Sequence, residues 1–277
     1  MGDRITKIGN SLLQHGTYNN RIYLMKLAQD DYPPIINELE QLALQEGYTK
    51  ICGKIPAFAT DGFREHGYIV EATIPKFYQG IEDVYFMSKF LSAARRKNNK
   101  AEEIKHVLAV ATDKSSTQPV PMLNPKFHYR ICELADIPKL VPVYKKVFAT
   151  YPFPIDDPDY IAKTMADNVQ YFAIWKYDFP VALSSSEMDL KSRNVEMTDF
   201  ATLPEYRGMG FSHYLLHKME AEMRTKGFLV AYSIARSLSF GMNITFAKMG
   251  YTYSGTLVNN TNISGNFESM NIWYKFL

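Results

Sequence analysis

The sequence predicts an α/β protein in which a mixed central sheet flanked by helices is preceded by a smaller α/β domain. Strand-like and helix-like patterns alternate through residues 126–277, as they do in α/β folds. Residues 115–125 are rich in proline and small polar residues, which is typical of a linker. The chain of 277 residues is also long for one compact domain. We therefore predict two domains, at residues 1–120 and 126–277.

The composition indicates a soluble globular protein. Hydrophobic residues make up 46% of the chain and charged residues 22%, which is ordinary for folded domains. The 31 basic residues nearly balance the 29 acidic ones, whereas a nucleic-acid-binding protein usually concentrates a basic excess. The two cysteines are too few for a disulfide framework or a cysteine zinc site, and no apolar run reaches the ~20 residues of a membrane helix. We expect a cytoplasmic protein with neither a nucleic-acid nor a membrane partner, and without a metal.

The second domain begins with a strand and two helices. A short strand is predicted at 129–133, and apolar residues then recur at helical spacing from Leu140 to Phe148. Two prolines within residues 151–154 interrupt the chain before a second helix at 158–167. Three strands follow, at 171–176, 180–187 and 194–203.

The remaining elements complete the predicted sheet. Pro204 ends the third strand, and a helix at 210–226 is closed by Gly227. The apolar run 228–235 is typical of a buried central strand. A helix ending near Gly250, a strand from residue 251 and a last strand at 270–277 finish the chain.

The first domain repeats landmarks of the second. Three short segments match in one order, namely residues 47–48 with 227–228, 63–68 with 246–251, and 89–91 with 275–277. Matches in a common order indicate an internal duplication. We therefore predict that the first domain is built like the second half of the other one. Unrelated helix–strand units with chance matches are the alternative.

Two glycines stand between the third strand of the second domain and the helix that follows, in the sequence Arg207-Gly208-Met209-Gly210-Phe211-Ser212. Glycines allow a tight turn whose N–H groups face an anion, and the helix adds the positive end of its dipole there. Such a turn suits a pyrophosphate. A glycine pair is also found in ordinary strand-to-helix turns, but the preceding strand and the amphipathic helix favour the binding role.

This segment resembles the Arg/Gln-x-x-Gly-x-Gly/Ala signature of the GNAT family of acetyltransferases, with Ser212 at the last position. The resemblance covers residue 129 to the end, and it implies the GNAT fold and acetyl-CoA as acetyl donor. A backbone N–H near Ala201 or Thr202 is implied as donor to the oxyanion. The implied coenzyme contacts are Ala201, Thr202, Leu203, Arg207, Gly208, Met209, Gly210, Phe211, Ser212, Ser239 and Asn243.

A narrower resemblance spans nearly the whole chain. Residues 21–27, 67–78, 242–251, 255–263 and 268–275 resemble the beta-lysine N-acetyltransferases. This implies that the acceptor is the terminal (N6) amine of beta-lysine and that the product accumulates as a compatible solute. Acetyltransferases for another small amine or a lysine side chain are alternatives, and so is a non-catalytic acyl-CoA-binding sensor.

Acetyl transfer to an amine needs a group that takes a proton, because an ammonium has no free lone pair. Glu196 stands where several GNAT enzymes hold a general base, in the strand before the turn. Asp199 is the second candidate. It has the opposite strand parity from Glu196, so both face one pocket only if a bulge intervenes, as the family's strand commonly has. For Glu196, facing solvent or pairing with a lysine is the alternative.

The general acid departs from the family pattern. The resemblance implies a tyrosine four residues before Gly250, but Phe246 stands there and has no proton to donate. Tyr251, Tyr253 and Ser239 are the candidates to replace it, and we select Tyr251 as the catalytic residue. The other alternative is a thiolate that leaves unaided and is protonated by water.

Substrate recognition must accommodate two ammonium groups and a carboxylate. Tyr151 and Phe153 lie in the connection that borders the acceptor site in the family. Glu268 and Glu196 are candidate amine partners. Arg236 or Lys248 is a candidate for the carboxylate. Each has an ordinary alternative as a packing residue or a surface charge. The sequence leaves open whether the first domain completes the acceptor site, contributes to a homodimer or extends the sheet.

Overall fold

The computed structural model describes residues 3–115, 119–120, 122–263 and 265–277, which form two mixed sheets flanked by helices. Residues 116–118 and 121 of the predicted linker lie outside these ranges. The first sheet comprises β1 (Arg4–Ile8), β2 (Ser11–Gly16), β3 (Arg21–Lys26), β4 (Lys50–Pro56), β5 (Ile69–Tyr78) and β6 (Glu82–Phe90), accompanied by α1 (Ile35–Glu46) and α2 (Thr60–Glu65). We call residues 4–90 the N-terminal unit. Helices α3 (Ala93–Arg96) and α4 (Ala101–Asp113) follow it.

The second sheet and its helices, residues 128–276, are called the C-terminal unit. Its elements are β7 (His128–Ile131), α5 (Ile137–Val147), α6 (Pro158–Asp167), β8 (Val169–Lys176), β9 (Phe179–Asp189), β10 (Asn194–Thr202), α7 (Phe211–Thr225), β11 (Val230–Arg236), α8 (Phe240–Lys248), β12 (Thr252–Ile263) and β13 (Asn266–Phe276). Within the described residues, no helix is both long and apolar enough to cross a membrane.

The C-terminal unit has the element order that the sequence predicts. Its strands lie in the order β12-β13-β11-β10-β9-β8-β7, and only β10 and β11 are parallel. The largest difference concerns β13, which was predicted from residue 270 and begins at Asn266. The asparagine-rich segment before it has the composition of a loop, yet it forms the end of β12, whose ladder with β13 continues past a bulge between Leu257 and Thr261.

A wedge opens in the middle of this sheet. Strands β10 and β11 pair only from Asn194 opposite Val230 to Glu196 opposite Tyr232. Beyond that point β10 continues along β9, while β11 continues along β13 as far as Arg236. The two parallel strands therefore diverge, and the gap between them is the place where an extended ligand can enter the sheet.

The N-terminal unit repeats this topology. Its strand order β1-β2-β3-β4-β6-β5 corresponds to β8-β9-β10-β11-β13-β12, and β3 and β4 are its parallel pair. Bulges occur at matching places, between Val70 and Ala72 as between Tyr253 and Gly255. Among the described residues the unit has no counterpart of β7, α5 and α6, but it matches six of the seven strands, which is more than the second half that the sequence predicts. The exact boundaries at 120 and 126 stay a prediction.

The two units contact each other reciprocally. Gln79 donates through Nε2 to the Lys191 carbonyl at 3.3 Å, and its counterpart Asn262 donates through Nδ2 to the Tyr18 carbonyl at 2.8 Å. The strand registers make Tyr18 and Lys191 equivalent, since each lies three residues before the first parallel pair. Such reciprocity is the property of a twofold interface. The chain is thus an internal pseudo-dimer.

Candidate active site

A cavity of about 350 Å³ lies where the wedge of the C-terminal unit faces the N-terminal unit. This volume lies within the usual range for small-molecule sites. The C-terminal unit supplies the connection after α5, the ends of β10 and β11, and the start of α8. The N-terminal unit contributes four side chains, which are Arg21, Tyr23, Met25 and Lys54. The N-terminal unit therefore completes the wall of this cavity, one of the three roles that the sequence left open.

Two glutamates face each other across the strands that line the cavity. Glu196 of β10 is paired with Glu187 of β9, and both side chains lie in its wall. Burial raises the pKa of Glu196 to about 8, and the negative charge of Glu187 adds to that shift. Burial also raises the pKa of Glu187, while the ammonium of Lys54 opposes both shifts. At neutral pH this pair is therefore able to hold a proton.

A short relay connects the N-terminal unit to Glu196. The ammonium of Lys54 donates to the Tyr232 hydroxyl at 3.1 Å. Tyr232 in turn is hydrogen-bonded to Glu196, its register partner across the last parallel pair before the wedge. This arrangement fixes the position of the Glu196 carboxylate and couples it to a cation that only the N-terminal unit supplies.

A bulge brings Asp199 to the same cavity. The register of β10 with β9 shifts between Thr198 and Ala201, and Asp199 has a left-handed φ of 54°. The sequence required such a bulge for Asp199 and Glu196 to share a pocket, and the structure has it. The Asp199 carboxylate accepts hydrogen bonds from the Tyr151 hydroxyl at 2.6 Å and the Ser185 hydroxyl at 2.5 Å. Burial raises the pKa of Asp199, and these two hydrogen bonds oppose the rise.

The glycine turn has the geometry of an anion site. Gly208 and Gly210 both have left-handed φ values, 81° and 76°, and Gly210 is the N-cap of the 15-residue helix α7 without a side-chain cap. A Cβ atom added to Gly208 would meet nothing within 4 Å, so the turn is open on that side. Uncapped N–H groups at the start of a long helix favour a bound anion. The residues present therefore fit a pyrophosphate group.

The side chains next to this turn take different roles. The guanidinium of Arg207 donates to the Thr202 carbonyl at 3.3 Å and ties the turn to the end of β10. Leu203 and Phe211 are buried in the core, and the Phe211 ring packs against Phe127 with centroids 5.0 Å apart. Of the predicted coenzyme contacts, Leu203 and Phe211 therefore have only their backbone groups to offer.

The turn between β11 and α8 holds two further predicted coenzyme contacts. Ser239 is the N-cap of α8 and lines the cavity. Asn243 is fully buried, and its amide donates to the Arg236 and Ser239 carbonyls at 3.0 and 2.8 Å. Its oxygen accepts from Asn271 and Trp273, both at 2.9 Å. This corrects the predicted role of the Asn243 side chain, which is occupied in supporting the turn.

The structure does not bring Tyr251 to the cavity. Its ring packs against Phe246 with centroids 5.1 Å apart, its hydroxyl lies beside Glu220 of α7, and it is not among the described residues that line the cavity. The hydroxyl of Tyr253 contacts Thr256 instead. This corrects the assignment of Tyr251 as general acid. The reason is that a tyrosine directly after the glycine that ends α8 packs under that helix rather than facing the cavity.

Phe246 does line the cavity, so an apolar ring occupies the place of the family's tyrosine. Of the three candidates to replace that tyrosine, only Ser239 is among the described residues that form the wall.

Two predicted substrate residues pair with each other. The guanidinium of Arg236 donates to both oxygens of Glu268, at 2.9 and 2.8 Å. Arg236 lines the cavity, whereas Glu268 is not among its described lining residues. The two charges compensate each other, which corrects the expectation that Glu268 binds an amine. Tyr151 and Phe153 both lie in the wall, as their place in the sequence predicts.

Among the lining residues that sequence reasoning missed are Arg21, Tyr23, Lys54 and Glu187. The available signal was a charged residue inside an apolar strand pattern, as in Lys54 within β4 or Arg21 at the start of β3. Such a residue is unusual, because strands buried on both faces rarely hold charges without a partner or a ligand.

Comparison with known proteins finds related acetyltransferases. A model described as the acetyltransferase (GNAT) family matches residues 140–251. The chain is 46% identical to the beta-lysine N(6)-acetyltransferase of Methanococcus maripaludis, over 99% of this chain and 98% of that protein. It is 32% identical to the beta-lysine N(6)-acetyltransferase of Methanosarcina mazei, over 89% of this chain and 98% of that protein. It is also 32% identical to the N-acetyltransferase YodP of Bacillus subtilis, over 96% of each.

Proposed function

The chain belongs to the GNAT family of acetyltransferases, and from this premise we propose that it transfers an acetyl group from acetyl-CoA to the N6 amine of beta-lysine. The observation that carries the proposal is the convergence of Glu187, Glu196 and Asp199 on one buried cavity beside the wedge. A cavity with three carboxylates favours a ligand with more than one ammonium group. The similarity to two proteins named for beta-lysine, over most of both chains, supports this acceptor.

The donor side of the site belongs to the C-terminal unit. The open turn at Gly208 and the uncapped start of α7 would hold the pyrophosphate of acetyl-CoA, which supplies the acetyl group as a thioester. The wedge between β10 and β11 lies beside this turn and leads toward Glu196. We assign the oxyanion donor to a backbone N–H near Ala201 or Thr202, where β10 borders the wedge after the bulge.

On the acceptor side, we assign the proton transfer to Glu196. Its carboxylate takes a proton from the ammonium, the freed amine nitrogen bonds to the acetyl carbon, and the carbon–sulfur bond breaks. Burial has raised the pKa of Glu196 to about 8, toward that of the amine, so the transfer is less uphill than to an ordinary glutamate. Asp199 already accepts hydrogen bonds from Tyr151 and Ser185, which suits it to orient the ammonium instead.

The leaving thiolate also needs a proton. The amine nitrogen loses its second proton as the amide forms. With Phe246 in the cavity wall, we assign the transfer of this proton to the sulfur to water or to the hydroxyl of Ser239, which gives one proton to the thiolate as it accepts the other. The product would keep one ammonium and one carboxylate, and would therefore be neutral overall. Such a molecule can accumulate without changing the ionic balance of the cell, so we propose that it serves osmoadaptation in the cytoplasm. We also propose that the protein forms a homodimer.

The proposal is tested by offering the protein acetyl-CoA with beta-lysine, lysine, ornithine or spermidine and following release of the free thiol. We expect the highest kcat/KM for beta-lysine, with the acetyl group located on N6 by mass spectrometry. A higher kcat/KM for spermidine or lysine would assign the enzyme to another amine. Binding of acetyl-CoA without turnover of any amine would instead support an acyl-CoA-binding sensor. Phe246 favours that alternative, because it cannot donate the proton that the family's tyrosine supplies.

A further inference from the structure

We propose that Arg21 of the N-terminal unit binds the carboxylate of the acceptor, so that the enzyme selects an amino acid over a simple diamine. The inference rests on the proposed function and concerns the same cavity. Arg21 begins β3, is only 3% exposed and lies in the cavity wall. The N-terminal unit would therefore recognise the carboxylate of the acceptor, whereas the glycine turn for the phosphates lies in the C-terminal unit.

The charge of Arg21 is not compensated. Its guanidinium donates to the Asn260 carbonyl at 2.6 Å, the Thr261 hydroxyl at 3.4 Å and the Gln14 amide oxygen at 3.5 Å. All three acceptors are neutral. Within residues 3–115, 119–120, 122–263 and 265–277, Arg21 has no carboxylate at ion-pair distance, and its buried Nε has no acceptor.

An arginine cannot lose its charge in a protein, and an unpaired buried charge is costly. The guanidinium therefore favours an anionic ligand, and its planar fork matches a carboxylate.

The other two cations in the cavity wall are already engaged. Arg236 is paired through two hydrogen bonds with Glu268. Lys54 donates to Tyr232 and acts electrostatically on Glu187 and Glu196. Arg21 is thus the lining cation that lacks an acidic partner among the described residues, and the substrate carboxylate is the anion that the proposed reaction brings to this cavity.

A neighbouring group supports the same assignment. Asn260 also lines the cavity, is 4% exposed, and its side-chain oxygen has no donor among the described residues. Its backbone carbonyl is the acceptor of the short hydrogen bond from Arg21, so an unsatisfied donor and an unsatisfied acceptor lie in one corner. Beta-lysine carries its carboxylate and its second ammonium two carbons apart. That pair of groups would satisfy the Nε of Arg21 and the side-chain oxygen of Asn260 together.

The test compares beta-lysine with 1,4-diaminopentane, which has both amines at the same spacing and lacks only the carboxylate. We expect Arg21→Met to lower kcat/KM for beta-lysine by ~10–100-fold, the range for loss of a hydrogen bond to a charged group. For 1,4-diaminopentane we expect a much smaller fall in kcat/KM, or a rise, because this substrate has no carboxylate to pair with the guanidinium and its ammonium groups are repelled by it. The preference for the amino acid would therefore collapse.

The matched control is Arg95→Met. Arg95 of α3 is also a buried arginine that donates to backbone carbonyls of both units, Asn19 at 2.8 Å and Asn259 at 2.7 Å, but it is not among the described lining residues. This variant should change kcat/KM for the two substrates by the same factor. If Arg21→Met also affects both equally, Arg21 has only a structural role and the proposal fails.

Two further measurements keep the proposal testable if Arg21→Met does not fold. Arg21→Gln retains a donor for the Asn260 carbonyl and removes the charge, and it should show the same selective loss. The unmodified enzyme should also treat the amide of beta-lysine like 1,4-diaminopentane, and equal kcat/KM for beta-lysine and its amide would refute the role of Arg21. A low kcat/KM for beta-lysine relative to spermidine or lysine would instead count against the proposed function.

Discussion

The two units share a backbone design and differ in what they can bind. Beyond the common strand order, each has a non-glycine residue in the left-handed region at the same bulge, Lys76 with φ 53° in β5 and Asn259 with φ 45° in β12. Yet β3 and β4 stay paired as far as Leu24 opposite Gly53, one pair further than β10 and β11. The parallel strands of the N-terminal unit therefore separate one residue pair later than those of the C-terminal unit.

The turn after the parallel strand differs as well. In the N-terminal unit the chain between β3 and α1 carries no glycine, and Pro34 is the N-cap of the helix. Asp31 in this segment accepts from the backbone N–H groups of Asn10 and Ser11 at 2.9 and 2.7 Å. A carboxylate and a proline thus replace the open glycine turn. An anion site requires free N–H groups, so this unit is not suited to hold a pyrophosphate.

The N-terminal unit contributes to the acceptor side instead. The strand registers make Tyr23 equivalent to Glu196 and Arg21 equivalent to Asn194. Asn194 donates to the Phe77 carbonyl at 3.4 Å, and Arg21 makes the equivalent bond to the Asn260 carbonyl. The duplicated backbone preserves the contact, while the arginine adds a charge that reaches the cavity. In the function that we propose, one copy of the fold keeps the donor site, and the other supplies part of the acceptor site.

We expect the largest effect from a change at Glu196 of β10, whose equivalent in the N-terminal unit is Tyr23 of β3. Glu196→Gln retains the shape of the side chain and removes the proton acceptor, so kcat should fall by ~10²–10⁴. The Kd for acetyl-CoA should stay unchanged, because the glycine turn is a separate part of the site. Stopped-flow or steady-state assays of thiol release measure the first quantity, and calorimetry measures the second. Asp199→Asn serves as the comparison. If it loses more kcat than Glu196→Gln, the base is Asp199.

The pH dependence of kcat/KM is a second test of the role of Glu196. A carboxyl group acts as a base only when it is deprotonated, and burial holds the pKa of Glu196 near 8. The kcat/KM of the unmodified enzyme should therefore rise with pH and level off above about 8. Glu196→Gln should lack this inflection. A rise that persists unchanged in the variant would belong to another group.

A substitution of Gly208 in the donor turn should impair acetyl-CoA binding much more than the same substitution of Gly47 in the N-terminal unit. Gly208 and Gly47 both have left-handed φ values, 81° and 70°, and a Cβ at either position would meet nothing within 4 Å. Gly208→Asp should weaken acetyl-CoA binding by ~100-fold or more, because a carboxylate would face the phosphates. Gly47→Asp imposes the same backbone cost at the end of α1 and should leave binding unchanged. Equal losses in both variants would mean that the effect is one of stability.

The features predictable from the sequence are the local ones. The glycine turn, the helix after it and the element order all depend on neighbouring residues, and the duplication was visible in three short matches. The bulge at Asp199 came from the family resemblance, since strand parity alone would have placed this residue on the other face.

The rest depends on contacts between distant parts of the chain. Arg21 and Lys54 reach the cavity only because the two units pack as a pseudo-dimer, and nothing near them in sequence reveals that arrangement. The assignment of Tyr251 failed for a related reason, because a position after a helix does not tell whether the ring will face the cavity or pack in the core. Glu187 could be predicted to lie beside Glu196 only from the register of β9 against β10, which the sequence does not reveal.

We expect the smallest effects, on the free energy of unfolding, from changes at the two equivalent left-handed residues, Lys76 and Asn259. Lys76 is exposed, so Lys76→Gly relieves the left-handed backbone and adds flexibility to the unfolded chain, two contributions of opposite sign. Its free energy of unfolding should change by less than about 1 kcal/mol. Asn259 has the same backbone conformation, but its amide donates to the Arg95 and Lys97 carbonyls, both at 2.9 Å, and so ties β12 to α3. Asn259→Gly should therefore lower the free energy of unfolding by about 1–2 kcal/mol in urea titrations. Equal changes at the two positions would mean that the bulge itself, rather than the contact it presents, determines the stability there.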